Sequence, residues 1–127
     1  MSQITPGLHG ERTLTVTADQ TAKHLGSGGV DVFATPAMIA LMERTSLSII
    51  DPLLDQGYMS VGIEIHVRHL RATPMGQQVR ARAEVTEVDG TRVTFKVEAW
   101  DETQKIGEGT HKRAIVELAR FEAGLQR

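Results

Sequence analysis

Glu43 is the residue most out of place in this sequence. It lies, with Arg44 beside it, inside FATPAMIALMERTSLSII (Phe33–Ile50), a run otherwise apolar enough to be read as a buried helix. An ionised carboxylate among apolar side chains costs free energy unless a partner or a reaction uses it. The chemistry open to it is bounded by what the chain lacks. With no cysteine there is no thiol nucleophile, disulfide framework or thiolate-bound zinc. The histidines and carboxylates show no metal-ligand spacing, so no metal is expected. What remains is a carboxylate in need of a partner.

Strand phase sorts the histidines. From Met59 to Leu70 apolar and polar residues alternate, placing Val61, Ile63, Ile65 and Val67 on one face and Glu64, His66 and Arg68 on the other. His69 continues the odd-numbered set and is expected to point inward, whereas His66 falls outside; His9, His24 and His111 take no role. Thr35 precedes Pro36 and reads as a helix N-cap with proline at the first helical position. Thr35 and Glu43 are eight residues apart, about two turns, and so share one helix face within roughly 80°. Each side chain also has a plainer reading: Thr35 as a cap, Glu43 in a structural ion pair, His69 as a satisfied core histidine. Pattern alone leaves both open.

The elements that must hold these residues are legible around them. At 127 residues, 40% hydrophobic and with net charge −2, the chain fits one globular domain, residues 1–127, with a real core. After a short strand near Leu14–Thr17 and a flexible loop at Gly26-Ser27-Gly28-Gly29 comes the helix, ending near Asp51-Pro52. Four strands follow: Met59 to Leu70; Val79 to Thr86; Arg92 to Ala99 after the Asp89-Gly90 turn; and about Lys105 to Leu118. One long helix beside an antiparallel sheet with a polar outer face implies a sheet curled around the helix. That is an α+β arrangement, the hotdog architecture. Such a half-shell leaves an edge strand and part of the helix uncovered, so a homodimer or a dimer of dimers is expected.

Three runs sharpen the functional expectation. VFATPAMIALME (Val32–Glu43), GIEIHVRHLRATPMG (Gly62–Gly76) and GEGTHKRAIV (Gly107–Val116) resemble the corresponding segments of hotdog-fold thioesterases related to fluoroacetyl-coenzyme A thioesterase. The likeness extends over about residues 7 to 122. The resemblance implies an acyl-CoA thioesterase whose catalytic set is Thr35, Glu43 and His69 at a dimer interface. It also implies an acyl pocket lined by Gly62 and Arg113. Gly62 has a plainer reading as a strand glycine, and the phase of Arg113 is unclear from pattern, since its strand mixes polar and apolar residues on both sides.

The fluoroacetyl-specific pattern carries bulky aromatics before the helix, where this chain has Gly26-Ser27-Gly28-Gly29. Four small residues imply an open entrance and a broader short or medium acyl-CoA substrate. No cofactor is expected beyond the coenzyme A thioester itself. Two other readings stay in view: a hotdog enoyl-CoA hydratase, which would want an Asp and His pair that the spacing does not offer, and a non-catalytic acyl-CoA binding module. Acyl groups on a carrier protein are a further substrate option. The charge balance gives no basic field for nucleic acid, and no apolar run approaches the roughly 20 residues that span a bilayer. The start, MSQITPGLHG, has no basic end followed by an apolar core, so a cytoplasmic protein is expected.

Overall fold

In a computed structural model that describes residues 3–126, the chain forms a five-stranded antiparallel sheet wrapped on one long helix. In chain order the elements are β1 (His9–Thr15), α1 (Ala22–Leu25), α2 (Thr35–Ile50), β2 (Tyr58–His69), β3 (Gln78–Asp89), β4 (Arg92–Trp100), β5 (Lys105–Glu117) and α3 (Leu118–Ala123). The strands run in the order β1-β3-β4-β5-β2. β3, β4 and β5 follow one another as hairpins, as expected, while β1 and β2 become the two edges. Among the described residues no helix is long and apolar enough to cross a membrane.

The alternation read in β3 and β4 is the core. Val79, Ala81, Ala83, Val85, Val93, Phe95, Val97 and Ala99 are wholly buried and meet the helix residues Met38, Leu41, Met42 and Ile50. Three alanines at the contact keep the helix close to the sheet. The buried hydroxyls on that side of α2 return to the helix itself. Thr45 donates to the Leu41 carbonyl at 2.7 Å and Ser46 to the Met42 carbonyl at 2.8 Å, so neither leaves an unsatisfied group. The stripe carrying Ala40, Glu43, Arg44 and Leu47 is only partly covered or open.

Two glycines in β5 set how tightly the layers close. A Cβ on Gly107 would lie 2.5 Å from Met38 Sδ, so glycine there lets α2 seat against the strand. A Cβ on Gly109 would lie 1.9 Å from the main-chain oxygen of His66, so glycine there lets β2 and β5 approach.

Several expectations change. The first strand lies at His9–Thr15 rather than Leu14–Thr17. β5 gives way to helix at Leu118, and α1 precedes the glycine-rich loop; neither short helix has the periodicity to announce itself. Thr35 is not the N-cap: Ala34 takes that position in an extended conformation, Thr35 is already helical, and no side chain caps the helix. Proline suits either of the first two positions, so Pro36 fits a start one residue earlier.

The largest correction is in β2. Its register with β5 shifts between Gly62 and Glu64, so Ile63 sits in a β-bulge and the side-chain parity reverses across it. Before the bulge the inward residues are Ser60 and Gly62, opposite buried Ile115 and Arg113; after it they are Ile65, Val67 and His69. Val61 and Ile63 therefore do not share the face of Ile65, and Ile63 is 44% exposed.

Candidate active site

Two clusters of polar side chains lie along the line where α2 crosses β2, and the antiparallel course of the two elements separates them. At one end are Thr35, the first helical residue, and His69, the last of β2. Thr35 Oγ1 and His69 Nδ1 are 2.8 Å apart. Because Thr35 caps nothing, its hydroxyl is free for the imidazole. His69 is partly buried, and its Nε2 is buried without a hydrogen-bond partner. Burial pushes its pKa below the ordinary imidazole range, because a charged ring is poorly solvated there. The pair lines a cleft of about 290 Å³ with Ser27, Val32, Phe33 and Arg71, a volume near the low end for small-molecule sites. Ser27, from the glycine-rich loop, brings no bulk to the wall.

At the other end Glu43 stands over Gly62. The point where a Cβ on Gly62 would sit is 2.6 Å from Glu43 Oε2, 3.2 Å from His111 Cε1 and 3.5 Å from Arg113 Nη1. Glycine at 62 is thus what admits the carboxylate. Arg113 is buried, and every nitrogen of its guanidinium is engaged. Nε donates to Ser60 Oγ at 2.7 Å, Nη2 to the Ser60 carbonyl at 3.0 Å, and Nη1 meets His111 Nε2 at 3.1 Å. Ser60 Oγ in turn donates to Asp51 Oδ1 at 2.6 Å. Burial lowers the Arg113 pKa, and the charges of Asp51 and Glu43 act in the opposite sense.

The expected residues therefore fall into two groups. Thr35 and His69 meet. Glu43, Gly62 and Arg113 gather about two turns further along the helix, and among the described residues no ion pair within 4.0 Å joins Glu43 to His69. Residues eight apart share a helix face, but they are also displaced by about 12 Å along its axis. Arg113 is not on a solvated face, since it faces the helix with Gly107, Gly109, His111 and Ile115. His111, which pattern left without a role, is 1% exposed and central to this group. Pattern offered little to find it by: of the alternating set Gly107, Gly109, His111, Arg113 and Ile115, only the last is a large apolar residue. Of the scattered basic side chains, Arg80 pairs with Glu11 and Arg82 with Glu84, each at 2.9 Å. Arg71 stays at the rim of the cleft.

Residues 16–119 match the family described as fluoroacetyl-CoA-specific thioesterase. The chain is 42% identical to the fluoroacetyl-CoA thioesterase of Streptantibioticus cattleyicolor over 93 residues, 73% of this chain and 67% of that one. It is similar to a solved variant of the fluoroacetyl-CoA-specific thioesterase in complex with fluoroacetate and CoA. There the TM-score is 0.89 and the identity 35%, over 93% of this chain and 99% of the other. A Thermus thermophilus protein described as a thioesterase superfamily member gives a TM-score of 0.92 at 32% identity, over 100% and 94% of the two chains.

Proposed function

The chain belongs to the fluoroacetyl-CoA-specific thioesterase family and is an acyl-CoA thioester hydrolase, and from that premise we propose that it cleaves short or medium acyl-CoA using Thr35, Glu43 and His69. The reaction forms a C–O bond at the thioester carbonyl, breaks the C–S bond and delivers a proton to the departing thiolate. The single observation that carries the assignment is His69, in contact with Thr35 through Nδ1 at 2.8 Å and unpartnered at Nε2. One neutral ring can hold a hydroxyl on one side and accept a proton from an attacking oxygen on the other. Glu43 supplies the second base, and Gly62 with Arg113 lines the acyl end, where a guanidinium N–H can meet a developing oxyanion.

A second copy of this chain completes the reading. β2 is a 12-residue edge strand with exposed Tyr58, Met59 and Ile63, and the helix stripe around Glu43 lies partly open. A homodimer covering that edge would enclose the cleft and bring both clusters to one substrate. The open loop at Gly26-Ser27-Gly28-Gly29 supports acyl groups broader than fluoroacetyl.

The test is a thiol-release assay across acyl-CoA chain lengths. We expect turnover on short and medium chains, and a loss of at least about a hundredfold in Glu43→Gln, the scale of an acid–base group. Saturable binding of every acyl-CoA with no thiol released would replace this reading with the binding module. Gly62→Ala gives a separate check. The added methyl would occupy the space of Glu43 Oε2, which lies 2.6 Å away at the end of a flexible side chain. The protein should fold with a nearly unchanged melting temperature while turnover falls roughly ten- to a hundredfold, because the carboxylate moves by about an ångström.

A further inference from the structure

His111 carries the inference, and its ring leaves little freedom of interpretation. Nδ1 is 2.9 Å from the main-chain carbonyl of Glu64, and a carbonyl oxygen only accepts, so Nδ1 bears the hydrogen. Nε2 is 3.1 Å from Arg113 Nη1, and a guanidinium only donates, so Nε2 offers its lone pair. The two contacts admit one protonation state, the neutral ring with hydrogen on Nδ1. Phe95 stacks on the ring at 6.1 Å between centroids and 27°, which fixes its plane. The charged groups facing it are Arg113 from its own strand and Glu43 from α2, while β4 contributes only the uncharged Phe95.

The consequence falls on Arg113. An NH₂ group of a guanidinium has two hydrogens. With one on Nη1 committed to His111, the other is left for whatever occupies the space between Nη1, Glu43 and Gly62. We propose that His111 is a positioning residue of the hydrolase: as a neutral acceptor it fixes the rotation of Arg113 so that one Nη1–H is presented beside Glu43, where the acyl oxygen binds. This rests on the site assignment above. Burial first, and then the Arg113 charge, hold the His111 pKa below the ordinary range, against the pull of the Glu64 carbonyl and Glu43. Protonation would set N–H against N–H and turn an acceptor into a second cation.

Three proteins decide it: wild type, His111→Phe and His111→Gln. Phenylalanine keeps the stack on Phe95 and removes the acceptor. Glutamine places an amide oxygen near the position of Nε2 and cannot be protonated at these pH values. With acetyl-CoA, His111→Phe should lose roughly ten- to a hundredfold in kcat/KM, the scale of a hydrogen bond to a charged group. His111→Gln should recover most of that loss. Affinity for acetonyl-CoA, a thioether ketone that keeps the acyl oxygen but has no thioester to hydrolyse, should follow the same order. Equal kcat/KM and equal analogue affinity in wild type and His111→Phe, with both folded, would overturn the proposal. So would a His111→Gln protein no better than His111→Phe in both measurements. If wild type releases no thiol, the hydrolase reading fails on its own, and the analogue affinities still decide whether His111 positions Arg113.

Discussion

Replacing His69 with alanine is expected to abolish most of the turnover while leaving the fold intact. His69 is only partly buried, and its hydrogen bond is to Thr35 at the edge of the cleft, so little packing is lost with the ring. An acid–base group of this kind contributes about 10²- to 10⁴-fold, and the variant should show that loss in kcat with a melting temperature close to wild type. The pH profile gives a sharper signature. In the role proposed for it the ring must be neutral to take a proton, and burial holds its pKa below the ordinary imidazole value, about 6.5. Wild-type activity should therefore persist through neutrality and fall on an acid limb below that value.

Stability carries the same sign. Below about pH 6.5 the unfolded chain binds protons at residue 69 that the folded chain resists, so native stability drops as pH falls. Part of that drop should vanish in His69→Ala. Urea unfolding at several pH values, beside thiol release, tests both. An alanine variant within a few-fold of wild-type kcat would remove His69 from the mechanism.

Gly109→Ala should have the largest effect on folding of any single methyl addition in the sheet. Its Cβ would lie 1.9 Å from the His66 carbonyl oxygen, 2.8 Å from the His66 carbonyl carbon and 2.7 Å from Val67 Cα. All three are main-chain atoms, so no rotamer change relieves the contact; β2 must move away from β5. That would break pairing across the most extensive strand contact in the molecule, the register from Tyr58–Glu117 to His69–Gly107. A cost above about 4 kcal/mol is expected, against a total stability on the order of 5–15 kcal/mol. The measurement is the urea midpoint and far-ultraviolet circular dichroism. A folded variant with the wild-type midpoint would show that the two strands are not held at this separation. Gly62→Ala makes the contrast, because its methyl meets a side-chain end rather than backbone.

The strength of periodic pattern decided what could be read before the structure. β3 alternates from Val79 to Val85, where a bulge of its own ends the pattern, and β4 alternates from Val93 to Ala99, so the sheet's centre and its contact with α2 were legible residue by residue. β2 also alternates on paper, but a bulge leaves no mark in composition, and the phase of Val61 and Ile63 was lost with it. His69 was placed correctly because it lies on the same side of the bulge as Ile65 and Val67. Helical angle put Thr35 and Glu43 on one face, yet angle carries no information about axial separation, and the two residues lie at different ends of the crossing. Arg113 and His111 were obscured because two glycines occupy the inward positions just before them. A strand face that begins Gly-x-Gly offers no apolar marker of which side is inside.

The bulge at Ile63 also makes the two clusters geometrically dependent on a single supernumerary residue. Excising Ile63 would leave Thr35, Glu43 and His69 in the sequence and every hydrogen-bonding partner of Arg113 in place. The remainder of the strand would keep its faces, because Gly62 and Glu64 already oppose the consecutive residues Arg113 and Lys112, but it would lose the bend and added twist that the extra residue puts between the two clusters. The angle at which the hydroxyl and ring stand to the acid is thus set by a residue that pairs with nothing across the ladder, a property that no one substitution along β2 would disclose.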